Sequence, residues 1–328
     1  YKTTITKSAD IYGAGKDQYG TPHKYHYDYE NSDYVLTYKN ENLQIDSGYS
    51  SFNGSRTMPE VRWIGDIVNT TSKENVGFYT NLQYMKNDTK YSVGARNEKV
   101  KYQYKNNTSG VTLNADHHLE AYDVGFNTPL NIQTSIFSNF NQAFQAPLID
   151  RFFTGSGTFN GFMSPSVSKT LNIGFNHLTD KSKTKVTLYK SNIKNEMYYN
   201  GTTYVNTNID KSHKQGLEIQ NLLQVNPKLS TSINYAYTDA IIDKEADDSS
   251  MNGKTNPMTS KHNISASAIY SLGDNTSITL TQKYRSSAFS EEDYTNTLIH
   301  KQMAYNSTDF NFSYKPNDDL EFNFDIEN

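Results

Sequence analysis

Two sets of side chains in this sequence have types and spacing suited to binding chemistry. The first is soft. Five of the seven methionines, Met58, Met163, Met251, Met258 and Met303, fall in long polar stretches, and His117, His118, His262 and His300 lie in or beside them. Thioether with imidazole is the ligand pair that copper selects, and Met258 with His262 is the natural candidate, across the top of one stretch. Methionine also fills irregular apolar gaps, and a rim histidine is commonly a plain surface residue. The second set is Arg151, Phe152, Phe153, Phe159 and Phe162 in one stretch, with Tyr204 and Arg285 in others. Guanidinium groups and flat rings suit a bulky, anionic, ring-bearing molecule held as a whole. The same rings would equally serve to pack the stretches together.

Other chemistry finds little support. The acidic run Asp243-Lys244-Glu245-Ala246-Asp247-Asp248 offers oxygen ligands without the ordered spacing of a calcium loop, and reads as a solvated tip. No G-x-S-x-G elbow joins a strand to a helix, and carboxylates occur too widely to single out a pair. The chain is not expected to be an enzyme or to need a cofactor. Its net charge of -4 provides no basic face for nucleic acid, and zero Cys excludes disulfides and thiolate metal sites.

The elements that must position these residues are strands. Leu320, Phe322, Phe324 and Ile326 alternate with Glu321, Asn323 and Asp325; Phe310, Phe312 and Tyr314 alternate with Asn311 and Ser313. Ile233, Tyr235 and Tyr237 stand opposite Ser232, Asn234 and Ala236, and Val76, Phe78, Leu82 and Tyr84 opposite Gly77, Tyr79, Asn81 and Gln83. Successive side chains of a strand point to opposite faces, so each segment has one apolar and one polar face. About 15 such strands fit the template. The mean hydropathy of -0.78 would exclude a helical membrane protein. It does not exclude a transmembrane barrel, where only alternate residues meet lipid.

Sandwiches and propellers alternate too, but the connections discriminate. Short ones, at Lys86-Asn87-Asp88-Thr89, Thr128-Pro129-Leu130, Lys181-Ser182-Lys183, Asn226-Pro227, Gly273-Asp274 and Pro316-Asn317-Asp318, alternate with long polar excursions. The excursions are expected at roughly 53–75, 105–118, 143–169, 195–212, 242–261 and 286–303, an outer-membrane barrel layout. Ile233, Tyr235, Phe310, Phe312, Phe322 and Phe324 are then expected to face outward, with Asn234, Asn311, Ser313 and Asn323 facing the lumen. Tyrosines near strand ends, such as Tyr198-Tyr199, Tyr284 and Tyr314, fit an interfacial girdle.

Several segments resemble the TonB-dependent receptors. Ala143-Phe144-Gln145-Ala146-Pro147 is similar to that family's A-F-x-A-P signature, and Thr170-Leu171-Asn172-Ile173-Gly174 to its T-x-E-x-G strand, with Asn172 in place of Glu. Val186 to Glu196 resembles an L-F-x-S-x-I-K-D-E strand, and Tyr235 to Ala240 resembles a Y-x-Y-T-D-A strand. Asn208 to Ser212 followed by Gly216-Leu217-Glu218 resembles N-x-x-x-S-x-x-x-G-L-E. The motifs occur in the family's order and are clearest over 76–328.

The resemblance implies an all-β fold, an antiparallel transmembrane outer-membrane β-barrel. It is expected to be incomplete here: residues 1–328 form a partial barrel domain of about 15 strands out of some 22, with the plug absent. No plug, TonB box or signal peptide is recognised at the start, and Phe322 to Asn328 looks like a penultimate strand. The implied function is an outer-membrane receptor of a Gram-negative bacterium, importing a scarce metal chelate with TonB-supplied energy. A ferric siderophore is the leading cargo, with copper and cobalamin as alternatives and a passive porin or adhesin-like barrel as the reading from another class. Implied partners are the chelate, TonB (through plug and box) and outer-membrane lipid, with the protein monomeric. Arg151, Phe152, Phe153, Tyr204 and Arg285 are the candidate chelate contacts; Met258 and His262 are the soft-metal alternative.

Overall fold

The computed structural model describes residues 2–16, 22–62, 65–154, 157–201, 203–297 and 301–327, with side chains from residue 27 onward except 58–68. A 15-stranded sheet follows chain order. Its strands are β1 (Lys2–Lys16), β2 (Pro22–Lys39), β3 (Leu43–Arg62), β4 (Gly65–Lys86), β5 (Thr89–Asn106), β6 (Thr112–Pro129), β7 (Thr134–Gln145) and β8 (Ser166–Leu178). There follow β9 (Ser182–Asn200), β10 (Val205–Asn226), β11 (Leu229–Lys244), β12 (His262–Gly273) and β13 (Thr276–Arg285). A separate ladder pairs β14 (Ala288–Phe289) with β15 (Lys301–Gln302) before the sheet resumes with β16 (Tyr305–Asn317) and β17 (Leu320–Ile326). The pairings from β1 to β5 and from β10 to β17 run antiparallel, and β1 and β17 are the two edges of an order that does not close.

The expected short turns are present. Asn87 and Asp88 both take left-handed backbone (φ 48° and 60°), the conformation of a two-residue hairpin turn. Elsewhere an asparagine side chain closes the turn on its own backbone. Asn40, Asn131 and Asn226 each accept two N–H groups two and three residues on, and Asn317 accepts that of Asp319. The excursions differ from expectation at three places. Strand β5 ends at Asn106 and β6 begins at Thr112, β9 and β10 are separated only by 201–204, and β3 and β4 run through most of 53–75. The strand ends at 53–57 and 69–75 are polar on both faces, so hydrophobic alternation fades there although the backbone ladder continues. Among the described residues, 146–154, 157–165, 245–261, 286–297 and 301–304 lie outside the 15-stranded sheet.

The chain divides into two compact units, Tyr1–Val124 with Asn141–Lys169 and Lys194–Ile209, and Gly125–Phe140 with Thr170–Ile193 and Asp210–Asn328. In the first, register aligns Tyr34, Tyr49 and Phe78 on one face, with Tyr38, Ile45, Leu82 and Val93 beside them. The rings meet across strands in tilted pairs, with centroids 6.1 and 5.1 Å apart. Phe78 is nevertheless 62% exposed and Leu36 56%. The opposite face carries Tyr27, Tyr29, Arg56, Thr71, Lys73, Glu98, Tyr102 and Tyr104, and this charged face holds the packed core. Apolar residues outside and polar ones inside invert the arrangement of a soluble sheet, where so large an open apolar patch would be costly.

The second unit shows the same segregation. Phe324, Phe312, Ile278 and Tyr270 form one cross-strand row, and Ile326, Phe310, Leu280 and Ala268 the next on the same face, which Ile233 and Tyr235 share. Asn323 with Ser313, Asp325 with Asn311, and Asn234 occupy the other face. Hydrogen bonds there include Asn311 to Asp325 at 2.6 Å and Ser267 to Thr281 at 2.8 Å. The sequence grouping into two faces therefore holds residue by residue. Two motif glycines have a steric reason. A Cβ at Gly216 would lie 2.1 Å from the Tyr237 carbonyl oxygen and 2.7 Å from the Tyr189 hydroxyl; one at Gly174 would lie 2.5 Å from the Phe137 ring.

Candidate ligand-binding surface

Strand β7 leaves the sheet where Ala146-Pro147 follows Gln145, because Pro147 has no N–H to continue a ladder. Its carbonyl is held from the sheet wall: the Tyr102 hydroxyl donates to it at 2.7 Å and the Lys73 ammonium at 3.1 Å. A short 3₁₀ turn, Ile149–Phe152, then carries the chain back over the polar face of its own unit. Phe152 (0% exposed) meets Tyr102 and Phe162 edge to face at 4.9 and 5.2 Å. Phe153 (5%) bridges to Phe159, which stacks on Tyr104 at 4.0 Å. The guanidinium carbon of Arg56 lies 3.9 Å above the Phe153 ring, and its Nη1 forms an ion pair with Asp150. Tyr27 donates to the same Asp150 oxygen at 3.3 Å.

The predicted contacts separate by exposure. Phe152 and Phe153 pack the segment onto the wall, the alternative role that the sequence allows them. Arg151, within the 3₁₀ turn, is exposed, and its Nη1 donates to Asn206 Oδ1 at 2.8 Å. Tyr204 is 65% exposed at the tip of the β9–β10 hairpin, with φ of 59°. That hairpin straps the segment down through Asn208, whose amide accepts from Ser164 N and donates to Ser164 O, both at 3.0 Å, and donates to Asn195 O at 2.8 Å. One unit thus presents Arg151 and Tyr204 on a surface backed by an aromatic core. Met163 (5%) belongs to that core, and His117 lies against Tyr102 at 6.1 Å.

Arg285, Met258 and His262 belong to the second unit. Arg285 donates from Nε to Ser260 Oγ at 2.9 Å and from Nη2 to the Met258 carbonyl at 3.2 Å. Met258 takes left-handed backbone (φ 57°) and leaves its side chain 42% exposed. His262 is exposed, with Nδ1 3.0 Å from the Tyr235 hydroxyl and its ring 5.4 Å from that of Tyr237. Met251 is buried and Met303 exposed. The Met58 side chain and His300 lie outside the described residues. Among the described residues no three His, Asp or Glu side chains gather as a metal site.

The acidic run has structural partners. Glu245 (4% exposed) accepts the backbone N–H groups of Asp247 at 3.2 Å and Asp210 at 3.3 Å, and burial pushes its carboxyl above the ordinary value. Asp248 caps the 3₁₀ turn Ser249–Met251, and Asp243 lies 2.7 Å from His213. The residues of the wall, Arg56, Lys73 and Tyr102, are the site components that alternation alone does not single out. For Lys73 and Tyr102 the signal is the A-F-Q-A-P motif, whose Pro147 they hold, while Arg56 meets the residues that follow it, Asp150 and Phe153.

The sequence profile described as "TonB dependent receptor-like, beta-barrel" matches residues 1–328. No curated protein matches the sequence. Solved structures share the fold. The ferric yersiniabactin uptake receptor FyuA of Yersinia pestis is similar at 12% identity and a TM-score of 0.73, covering 94% of this chain and 49% of that one. The ferric citrate transporter FecA in its unliganded form gives 16% identity, a TM-score of 0.74, and coverage of 99% and 52%. The copper transporter OprC gives 12% identity, a TM-score of 0.73, and coverage of 94% and 52%. The chain spans about half the length of these structures.

Proposed function

The chain belongs to the TonB-dependent receptor-like β-barrel family, and from that premise we propose that residues 1–328 are one barrel segment of an outer-membrane importer. The whole protein binds a scarce metal chelate, a ferric siderophore, at the surface of a Gram-negative cell. It imports the chelate with energy supplied through TonB, as a monomer in outer-membrane lipid. Family and similar structures are transport receptors rather than enzymes, and none of the residues discussed performs chemistry. The observation that carries the reading is the segregation of faces within each unit: exposed Phe78 and Leu36 opposite a charged, packed wall in the first, exposed Ile233 and Phe324 opposite polar Asn234 and Asn323 in the second. Lipid outside and cargo route inside accounts for both.

Arg151 and Tyr204 supply charge and flat surface for an anionic chelate in the first unit, on the support that Phe152 and Phe153 provide, and Arg285 is a separate candidate contact in the second unit. Isothermal titration of the intact receptor with ferric siderophores and with Cu⁺ or Cu²⁺ tests the cargo. The expected result is chelate binding, weakened about tenfold by Arg151→Ala with Tyr204→Ala, a loss of ~1.4 kcal/mol. Micromolar copper binding abolished by Met258→Ala with His262→Ala would replace the siderophore with copper. Binding of neither would direct attention to cobalamin, and passive ion conduction without any bound cargo to a porin or adhesin-like barrel.

A further inference from the structure

Beneath the aromatic segment lies a polar group that the exposed surface does not use. Arg56 is 4% exposed; its Nη1 pairs with Asp150, and the Tyr27 hydroxyl interacts with both partners of that pair. Its Nε and Nη2 have no hydrogen-bond partner among the described residues. These two atoms form the edge with which guanidinium binds a carboxylate at two points. Register places Thr71 directly opposite Arg56, and Asn69 two residues away on the same face of β4. Both are 0% exposed, and the Thr71 hydroxyl and both amide atoms of Asn69 also lack partners among the described residues. A buried charge beside unmet polar groups is costly, which marks a constellation built for a further partner. Asp150, by contrast, has a side chain 56% exposed.

We propose that Arg56, with Thr71 and Asn69, is an internal carboxylate site and that Asp150 is its built-in competitor. This rests on the reading of the protein as a receptor for an anionic chelate. A ligand carboxylate seats on the Nε–Nη2 edge, where the planar fork matches it and where Thr71 and Asn69 supply neutral donors. Two carboxylates around one guanidinium repel each other, and Asp150, the more exposed of the two, is the one that leaves, giving up its contacts with Arg56 and Tyr27. Phe153 covers the guanidinium, so the site is reached only when the segment lifts. Anion binding and release of the segment that carries Asp150 and Phe153 are therefore one equilibrium.

The test uses the intact receptor in detergent, titrated with metal-free citrate against sodium chloride of equal ionic strength. Calorimetry reads binding, and amide exchange over 148–162 reads the segment. Citrate is expected to bind and to raise exchange there severalfold. Asp150→Asn removes the competitor and should tighten citrate about tenfold, and Arg56→Lys, which keeps the charge and loses the edge, should weaken it about tenfold. Heat-modifiable migration checks that each variant folds; if Arg56→Lys does not, Thr71→Val replaces it, with about threefold weakening expected. Equal affinity in wild type and Arg56→Lys, weaker binding in Asp150→Asn, or an unresponsive segment would overturn the proposal. Inorganic phosphate binding as tightly as citrate would overturn the carboxylate assignment. Uptake of ferric chelates by whole cells is read separately: uptake without a citrate response sinks only the latch, and a citrate response without uptake sinks only the importer reading.

Discussion

The Tyr102 hydroxyl donates to the Pro147 carbonyl at 2.7 Å, joining the middle of β5 to the point where the chain leaves β7. Lys73 shares the same acceptor at 3.1 Å. The A-F-Q-A-P motif thus ends in a carbonyl clamped by the wall, and the clamp sets where the aromatic segment begins. Tyr102→Phe removes one of two donors while keeping the ring against Phe152. The expected cost is about 1 kcal/mol, seen as faster amide exchange over 148–153 with exchange in β10 to β13 unchanged. Unchanged protection of 148–153 would show that ring packing alone holds the segment.

Phe152 is the most enclosed ring of that segment, fully buried between Tyr102 and Phe162. Phe152→Ala should cost about 3–5 kcal/mol locally and loosen the exposed Arg151 beside it. Limited trypsin digestion should then cut after Arg151 in the variant and not in the wild type.

Gly216 has no room for a methyl group, since its Cβ would meet the Tyr237 carbonyl oxygen at 2.1 Å. Gly216→Ala should destabilise by about 1–3 kcal/mol, read as a lower fraction of heat-modifiable protein. Tyr189→Phe in the same background should restore little, because the closest atom is backbone.

Glu245 lies in the segment after β11, outside the strands, and burial raises its carboxyl above the ordinary value of 4.5. A raised folded-state value means that the folded segment prefers the protonated acid. Its contribution to stability is complete below 4.5 and is lost as pH rises through the raised value. Protection of 245–256, corrected for intrinsic exchange rates, should fall across that window, and Glu245→Gln should flatten the fall. A profile that rises with pH would reverse the assignment.

The two faces can be distinguished in intact membranes. Single cysteines at Ile233 or Phe324 should resist a water-soluble maleimide, and those at Asn234 or Asn323 should react. Equal labelling of both pairs would remove the membrane reading of the exposed apolar face.

The sequence by itself determined the strands, their faces and their short turns. Period-2 alternation is local, so Phe310 and Phe312 share a face whatever surrounds them, and Asn226 closes its turn through its own backbone. The motifs carried the family in the same way. Strand ends at 53–57 and 69–75 were not legible, because a ladder polar on both faces loses the contrast that alternation needs. The site depended on the tertiary structure more deeply. Whether Phe152 and Phe153 meet a ligand or a wall is decided by Tyr102, Tyr104 and Arg56, which are remote in sequence and brought near only by the return of 146–165. Nothing local distinguishes Arg56 from Arg151. One is buried against Phe153 and Asp150, the other exposed beside Asn206, because burial belongs to the packed assembly and not to the residue.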